Sequence, residues 1–305
     1  MPEMRIGDLI KGLRENQNIS QAELAEGITE RGYLSKIENN KAAPHRFMLD
    51  ELFNRLGYNP SFITHYFIDA HTAKIQTMKQ TLNAHLLKGR LQEAEDVIAA
   101  LEADEKFMQE KLSQQYILRN KASLASKKKE DADKIIATLL EAIKISVPAF
   151  DMEQLGKKYL LTHTDIDIIN LIAVQYHNKE DLDKAVEIMY ALKNNMDMRF
   201  MDAAAKGAIY PRVIYNLTKY LGMTGRYHEA IKLCDEGKEF CLEIGAYGLL
   251  PLIIFNKATC LYEVGEKDQC RDMLSPIYYT MVMFEEYSDL DIIKNYALDK
   301  FSIVL

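Results

Sequence analysis

The stretch from Ser20 to Lys41, SQAELAEGITERGYLSKIENNK, constrains the fold of this chain more than any other. Ser20 is a good N-cap residue, and Glu23, three positions later, completes a capping box that starts a helix. A short turn around Gly27 follows, and a second helix is predicted from about Glu30 to Glu38. The stretch therefore predicts two short helices joined by a tight turn.

Apolar periodicity predicts one more helix on each side of this pair. Before it, four apolar residues fall at helical spacing and form one stripe: Ile6, Leu9, Ile10 and Leu13. After it, the following residues predict a fourth helix, which Gly57 and Pro60 stop: Phe47, Leu49, Leu52, Phe53 and Leu56. The first part of the chain is therefore predicted to be a small bundle of four helices.

The third helix of this bundle has a face suited to a DNA groove. Its buried side, formed by Leu34 and Ile37, leaves the following residues pointing outwards: Arg31, Gly32, Tyr33, Ser35 and Lys36. A long cation suits guanine edges, a small residue permits close approach, and hydroxyls bind phosphates. Gln21, in the first turn of the second helix, can offer its amide to a phosphate near the positive helix end.

The order of these residues resembles the repressor-type (Cro-like, XRE) helix-turn-helix. The resemblance is carried by Arg14, then Ser20-Gln21-x-x-Leu24-Ala25, then Leu34-Ser35-x-Ile37-Glu38-Asn39. It implies that Arg31, Gly32 and Lys36 face the bases. It also implies backbone-facing positions for Gln21, Tyr33, Ser35, Asn39 and Lys41, and an internal ion pair between Arg14 and Glu38. The turn before Leu34 is one residue shorter than in the commonest form, so this assignment is open to a slip of one position.

An imperfect repeat of helix, short turn and helix fills the rest of the chain. Its clearest copies span Leu86–Ala94, Gly222–Ala230 and Tyr262–Cys270, and weaker copies centre on Lys127–Ala132 and Asn178–Ala185. Each copy has a small residue where two helices approach closely: Ala94, Ala132, Ala185, Ala230 and Cys270. The spacings exceed the period of about 34 residues in a strict tetratricopeptide repeat. We therefore predict an all-α protein, with a right-handed superhelix of tetratricopeptide-like helix pairs after the helix-turn-helix.

One asparagine recurs at a similar height in the first helix of each pair: Asn83, Asn120, Asn170, Asn216 and Asn256. Asparagine is a poor helix former, so its recurrence needs a reason. Side-chain amides on a concave face can pair with both the N–H and the C=O of a bound peptide backbone. The alternative is that they cap or bridge neighbouring helices. The peptide hypothesis adds Tyr176, Arg212 and Lys219 as groups that select the peptide sequence.

A helix-turn-helix followed by such repeats resembles the peptide-sensing regulators of Gram-positive bacteria, the Rap/Rgg/NprR/PlcR/PrgX group, and within it the PlcR-like members. The resemblance implies a DNA-binding domain over residues 1–66 and a peptide-binding and dimerisation domain over 67–305. It implies a cytoplasmic homodimer, and we expect the two heads of such a dimer to bind a palindromic operator in double-stranded DNA. A short signalling peptide would change the dimer arrangement, as in quorum sensing. Dimerisation is expected through the repeats or through the segment near residues 61–80, where Phe62, Ile63, Phe67 and Ile68 start a further helix.

The sequence motifs and the net charge argue against an enzyme and against a general nucleic-acid-binding protein. The sequence has no HExxH, P-loop, GxGxxG or GxSxG motif, so neither an enzyme, a cofactor nor a metal site is predicted. The net charge of −7 argues against indiscriminate nucleic-acid binding. We expect no signal peptide or membrane span, and reduced core cysteines at Cys234, Cys241, Cys260 and Cys270. The alternative function is a scaffold, whose repeat groove binds a partner protein and whose head tethers that protein to DNA.

Overall fold

The computed structural model describes residues 5–58, 70–155, 159–283 and 290–305, and all regular structure in them is helical. A short 3-10 helix lies at Met152–Gln154. The α-helices are α1 (Ile6–Asn16), α2 (Gln21–Ala25), α3 (Arg31–Glu38), α4 (Arg46–Arg55), α5 (Ala70–Leu87), α6 (Leu91–Glu102), α7 (Glu105–Met108), α8 (Lys111–Lys127), α9 (Ala132–Ser146), α10 (His163–Asn178), α11 (Leu182–Asp197), α12 (Ala203–Met223), α13 (Tyr227–Ile244), α14 (Leu250–Glu263), α15 (Lys267–Met283) and α16 (Leu290–Phe301).

The chain divides into two compact units. The first unit comprises Met1–Glu180 and Asn194–Ala205, and the second comprises Asp181–Lys193 and Lys206–Leu305. The helix predicted to start at Phe62–Ile68 and the predicted domain boundary at residue 66 lie outside the described residues, so both stay predictions. Within the described residues, no helix combines the length and the apolar character that a membrane span requires.

Helices α1 to α4 form the head of the first unit. Their core includes Ile10, Leu34 and Phe53, all with no exposed surface, and each predicted helix of the head is present. The same cluster takes in Leu112 of α8 and packs against Ile145 of α9. The head therefore shares its core with the repeat helices of the first unit.

The predicted helix–turn–helix copies are present in the described residues, and each turn contains one residue with a positive φ. The three clear copies use Gly89, Gly225 and Gly265 there, whereas the two weaker copies use Lys129 and Glu180. Glycine adopts this left-handed conformation without steric cost. The missing glycine is the reason that two of the copies are hard to recognise in the sequence.

One predicted small position was wrong. Ala94, Ala185, Ala230 and Cys270 are fully buried at the fourth residue of their helices, but Ala132 is the first residue of α9 and only half-buried. The turn at Lys129 is one residue longer than the others, because Lys129 lies two positions before the N-cap Asp131. The equivalent buried position in α9 is therefore Ile135.

Helices that follow each other in the chain pack side by side within each unit. In the first unit, α5 packs on α6, α8 on α9 and α9 on α10; in the second, α13 packs on α14, α14 on α15 and α15 on α16. The four cysteines are buried free thiols. Burial raises the pKa of Cys234 to about 12 and that of Cys260 to about 11, so both are inert thiols rather than reactive ones.

Candidate DNA-binding surface and repeat groove

The DNA-binding candidates lie on α2 and α3. The predicted capping box is present: the Ser20 amide donates to Glu23 Oε2 at 2.7 Å, and the Glu23 amide donates to Ser20 Oγ at 3.2 Å. On α3, Leu34 and Ile37 have no exposed surface. Their burial fixes the rotation of α3, and therefore determines which of its side chains face solvent.

The three predicted base-facing residues lie together on the exposed side of α3. Arg31 is the first residue of the helix, Gly32 follows it, and Lys36 lies one turn further along; all three are exposed. No atom lies within 4 Å of the position where a Gly32 side chain would begin. This face therefore offers two long cations beside an open strip of backbone, as close approach to base edges requires.

The predicted backbone-facing residues are near this face, but several already have partners. Tyr33 Oη donates to the Ala43 carbonyl at 3.2 Å, and the Asn39 amide donates to the Ser35 carbonyl at 2.7 Å. The Gln21 amide donates to Glu38 Oε2 at 2.8 Å, which leaves one of its two N–H hydrogens for a phosphate. Lys41 is exposed, just beyond the C-terminal end of α3.

The predicted ion pair between Arg14 and Glu38 is confirmed. Arg14 Nε donates to Glu38 Oε1 at 2.6 Å, and Arg14 Nη2 donates to Glu38 Oε2 at 2.9 Å. Burial acts to raise the pKa of Glu38, but hydrogen bonds from Arg14 and Gln21 hold that pKa below its ordinary value. Glu38 therefore stays ionised and joins α1 to α3 rather than meeting DNA.

The turn between α2 and α3 docks on the repeat helices of the first unit. Gly27 has a φ of +71°, and a Cβ added there would lie 2.1 Å from the Ser146 carbonyl oxygen at the end of α9. Arg55, which is 1% exposed, donates to the carbonyls of Leu24, Glu26 and Ser146. One buried guanidinium thus joins this turn to the repeats.

A second arginine strengthens the same attachment. Arg199 donates through Nη2 to the carbonyls of Asn54 at 3.2 Å and Arg55 at 3.4 Å, and through Nη1 to the Leu161 carbonyl. Burial and the neighbouring charge of Arg55 lower the pKa of Arg199 to about 10, so it remains a cation at neutral pH. The C-terminal end of α4 is therefore held by two cations, the buried Arg55 and the half-buried Arg199.

The second unit contains a groove between α12, α13, α14 and α16, with a volume of about 510 Å³. It brings together two of the predicted peptide-binding residues, Lys219 of α12 and Asn256 of α14. The walls are otherwise mostly apolar and aromatic, with Tyr215 and Phe255 among them. Such a lining, with a few polar groups, is typical of ligand sites.

Asn256 also bridges two helices. Its Nδ2 donates to the Tyr215 carbonyl at 2.9 Å and to Thr218 Oγ1 at 3.0 Å, both on α12. Both amide hydrogens are therefore used within the protein, and Oδ1 is the atom that remains to accept a hydrogen bond in the groove. Asn256 Nδ2 thus bridges neighbouring helices, as the alternative hypothesis expected. Only Asn256 Oδ1 can serve the peptide-binding hypothesis.

The other predicted peptide-binding residues do not line this groove. Asn216 is buried and Arg212 is exposed on α12, whereas Asn120, Asn170 and the half-buried Tyr176 belong to the first unit. Asn120 Nδ2 donates to the Tyr116 carbonyl at 2.7 Å, and its Oδ1 accepts from Arg119 Nη1 at 3.0 Å. The polar atoms of Asn120 thus have partners in its own helix.

Sequence reasoning missed several polar groups of the groove, three of which lie on α13 and α14. Tyr227 lies at the start of α13, and Thr259 and Glu263 lie on α14 with Asn256. The positions 256, 259 and 263 follow a helical i, i+3, i+7 spacing. Extending the Asn256 position along its own helix face would have found two of the three.

Comparison with known proteins agrees with this architecture. Residues 10–63 match the sequence profile of the family described as Helix-turn-helix. A sequence search of curated proteins finds no match.

Solved structures of similar fold cover nearly the whole chain. PlcR of Bacillus thuringiensis, in complex with the peptide PapR7 and DNA, has a TM-score of 0.63 at 18% identity, covering 95% of this chain and 99% of that one. ComR of S. thermophilus, in complex with DNA and its signalling peptide ComS, has a TM-score of 0.54 at 15% identity, covering 97% and 99%.

The Streptococcus dysgalactiae SHP pheromone receptor Rgg2 has a TM-score of 0.53 at 9% identity, covering 96% of this chain and 99% of that one. PlcR and ComR were each solved with DNA and a peptide, and Rgg2 is described as a pheromone receptor. Residues 10–63 therefore form an XRE-type helix-turn-helix domain, and the chain shares the fold of PlcR, ComR and Rgg2.

Proposed function

We propose that this chain is a sequence-specific transcriptional regulator whose DNA binding responds to a short signalling peptide. The observation that carries the proposal is the face of α3, where Arg31, Gly32 and Lys36 are exposed while the other residues of the helix are buried or half-buried. In this proposal residues 1–66 bind DNA, and residues 67–305 bind the peptide and form the homodimer.

Two heads in a dimer would read a palindromic operator. Half-sites should lie one helical turn apart, about 34–36 Å, or a multiple of this distance. Each head is close to neutral in charge, so affinity should come from a few exposed cations. Among the described residues these include Arg31, Lys36 and Lys41 on and beside α3.

The peptide is assigned to the groove of the second unit. PlcR and ComR were crystallised with peptides, and they share the fold of this chain. Asn256 Oδ1 can accept a backbone N–H, the Lys219 ammonium can pair with a carboxylate, and the apolar walls can hold side chains. A segment of about five to eight residues suits a groove of this size.

A peptide can change DNA binding only if it binds two dimer arrangements with different affinity. The contacts of the buried Arg55 and the half-buried Arg199 hold the head on the repeat helices of the first unit. A rearrangement of those helices would therefore move the head with them, so that dimer geometry sets the separation of the two α3 helices.

The DNA-binding part is tested by footprinting and by two matched variants. Arg31→Ala should weaken operator binding by roughly 1–3 kcal/mol and relax the preference at one base pair. Lys41→Ala, which removes a predicted phosphate contact, should weaken binding to all sequences alike and lower the salt slope by about one. Equal losses on operator and random DNA for Arg31→Ala would contradict base reading.

The peptide-binding part is tested by thermal unfolding with a library of peptides of about five to eight residues. A specific peptide should raise the melting temperature by ligand linkage. Lys219→Met should lower the affinity for that peptide. Arg271→Met, on the exposed surface of α15, is the matched control and should leave binding unchanged. If no short peptide acts and a folded partner protein occupies the repeats instead, the scaffold alternative replaces this proposal.

A further inference from the structure

A second cavity lies inside the first unit, between the head and the repeats. Its volume is about 590 Å³, and its wall combines residues of α4 with residues of α5, α7 and α8. We name it the head–repeat cavity and define it by Glu51, Asn54, Ile75, Lys79, Phe107 and Ser113. It is separate from the groove assigned to the peptide, because none of its lining residues belongs to the second unit.

Three buried polar atoms in its wall have no hydrogen-bond partner among the described residues. They are Glu51 Oε2, Asn54 Oδ1 and Ser113 Oγ, on side chains that are 6%, 8% and 0% exposed. Native proteins rarely leave such groups unsatisfied, because each costs free energy comparable to a lost hydrogen bond. Three of them in the wall of one cavity indicate a site for a polar molecule.

Two opposite charges also face this cavity without forming a direct ion pair in the described part of the chain. Lys79 Nζ lies 4.0 Å from the ring centre of Phe47, 4.5 Å from that of Tyr116 and 5.2 Å from that of Phe107. The other charge is the carboxyl of Glu51, which acts electrostatically on Lys79.

Most of the remaining charged side chains in the wall already have ionic partners. Asp50 pairs with Arg46 at 2.8 Å, and Glu110 lies 2.9 Å from His45. His71 lies 2.9 Å from Asp104, and the remaining cation, Lys106, is exposed to solvent. Glu51 and Lys79 are therefore the charges that a ligand inside the cavity would meet.

We propose that the head–repeat cavity binds a compact zwitterion with an apolar side group, namely a free amino acid of about the size of leucine or phenylalanine. Its ammonium would donate to Glu51 and Asn54, and its carboxylate would accept from Lys79 and Ser113. A ligand with both charges complements the buried Glu51 and the half-buried Lys79, whereas a simple amine or a simple acid complements only one of them.

The dimensions and the remaining wall support this assignment. The cavity volume is within the usual range for small-molecule sites, about 300–1,000 Å³. Ile75 and Phe107 are buried apolar residues that can pack against the side group. Burial raises the pKa of Glu51 to about 7 and lowers that of Lys79 to about 8. At neutral pH Lys79 is therefore mostly charged, and Glu51 is near its titration midpoint, where an approaching ammonium can ionise it at little cost.

A bound amino acid would contact α4 of the head and α5 and α8 of the repeats at the same time. By linkage, it would stabilise the docked head against any arrangement in which these helices separate. This inference does not depend on the peptide proposal, because its residues lie in the other unit.

The test compares three probes that share one aromatic group. L-phenylalanine carries both charges, 2-phenylethylamine lacks the carboxylate, and 3-phenylpropionate lacks the ammonium. We expect L-phenylalanine to bind, and each half-probe to bind about tenfold to hundredfold more weakly, because it loses one charge-assisted contact. Binding is followed by calorimetry and by the rise in melting temperature.

A fluorescent reporter locates the site. The chain contains no tryptophan, so Phe107→Trp places a single indole in the cavity wall. L-phenylalanine should change the emission of this indole, and the emission titration should give the affinity that calorimetry gives. Binding without any change in emission would place the probe elsewhere and overturn the proposal.

Variants complete the test. Lys79→Met and Glu51→Gln should each lower the affinity for L-phenylalanine by about tenfold or more. Lys74→Met, on the exposed side of α5, is the control and should leave that affinity unchanged. Lys79→Arg keeps the cation and should recover part of the affinity, which separates loss of charge from loss of folding. No binding by any probe, or equal binding of the three probes, would overturn the proposal.

Discussion

Replacement of Arg55 by methionine should destabilise the docked head strongly. The Arg55 guanidinium is buried at the meeting point of α4, the α2–α3 turn and α9. It donates to the carbonyls of Leu24 at 3.3 Å, of Ser146 at 3.1 Å and of Glu26. Methionine has a similar shape but donates no hydrogen bond, so three carbonyls lose their charged donor, and the bonds to Leu24 and Ser146 are buried ones.

The magnitude follows from two opposing effects. Hydrogen bonds to a charged group contribute about 1.5–3 kcal/mol each, and Asp165, which has no exposed surface, would also lose the nearby positive charge. Against this, burial lowers the pKa of Arg55, which shows that its desolvation is costly. The net expectation is a loss of roughly 3–5 kcal/mol, the range for breaking a buried charged contact on one side.

Urea unfolding followed by circular dichroism measures this loss, because the described structure is helical and urea does not screen charges. Arg31→Met is the matched control: Arg31 is exposed, so its free energy of unfolding should stay within about 0.5 kcal/mol of the parent. For DNA affinity the order should be reversed: Arg31→Met should weaken operator binding more than Arg55→Met does, since Arg31 is predicted to contact the bases. A loss below about 1 kcal/mol for Arg55→Met would refute the view that this arginine holds the head on the repeats.

Three further variants test the contacts described above. Gly27→Ala should cost more than Gly89→Ala: both residues have positive φ, but only at Gly27 does the added Cβ meet backbone, the Ser146 carbonyl at 2.1 Å. Equal unfolding free energies in urea would count against a tight contact there. Asn256→Ala should lower the free energy of unfolding by about 1–3 kcal/mol, because two donated hydrogen bonds are lost. Asn83→Ala, at an exposed position, should change it by no more than about 0.5 kcal/mol. Equal melting temperatures for the two variants would contradict the bridging role of Asn256. Because the pKa of Glu51 is raised to about 7, the stability that its neutral form contributes should be lost as pH rises from about 4.5 through 7. Glu51→Gln should remove a loss of roughly 3 kcal/mol over this range, whereas parallel stability profiles would show that Glu51 titrates normally.

Local rules predicted the head well because its signals are short-range. The capping box joins Ser20 and Glu23, three positions apart, and apolar spacing fixed the rotation of α3. The Arg14–Glu38 pair spans a longer distance in sequence and was available only through resemblance to a known motif. The predicted buried position in α9 was wrong because the turn at Lys129 has one added residue, and no glycine marks its left-handed position.

The attachment of the head could not be predicted in this way. Arg55 and Ser146 are 91 positions apart, and Arg199 and Asn54 are 145 positions apart. In the sequence, Arg55 is an ordinary basic residue in the last turn of a helix, where a cation is expected to face solvent. Its burial depends on where α9 ends, which a local pattern does not show. The head–repeat cavity was missed for the same reason.

The short turn between α2 and α3 both connects two helices of the head and contacts the repeat helices of the first unit. It connects the two helices that carry the candidate DNA-binding residues, and it also presents Gly27 to Ser146 and the Leu24 and Glu26 carbonyls to Arg55. Ser146 is itself joined to α8 and α10, because its hydroxyl accepts from Gln115 at 2.6 Å and donates to Asp165. The turn therefore contacts a residue, Ser146, that belongs to α9 and is hydrogen-bonded to α8 and α10. Because interiors of this kind are close-packed, a displacement of α8 or α10 would change the contacts that support the turn.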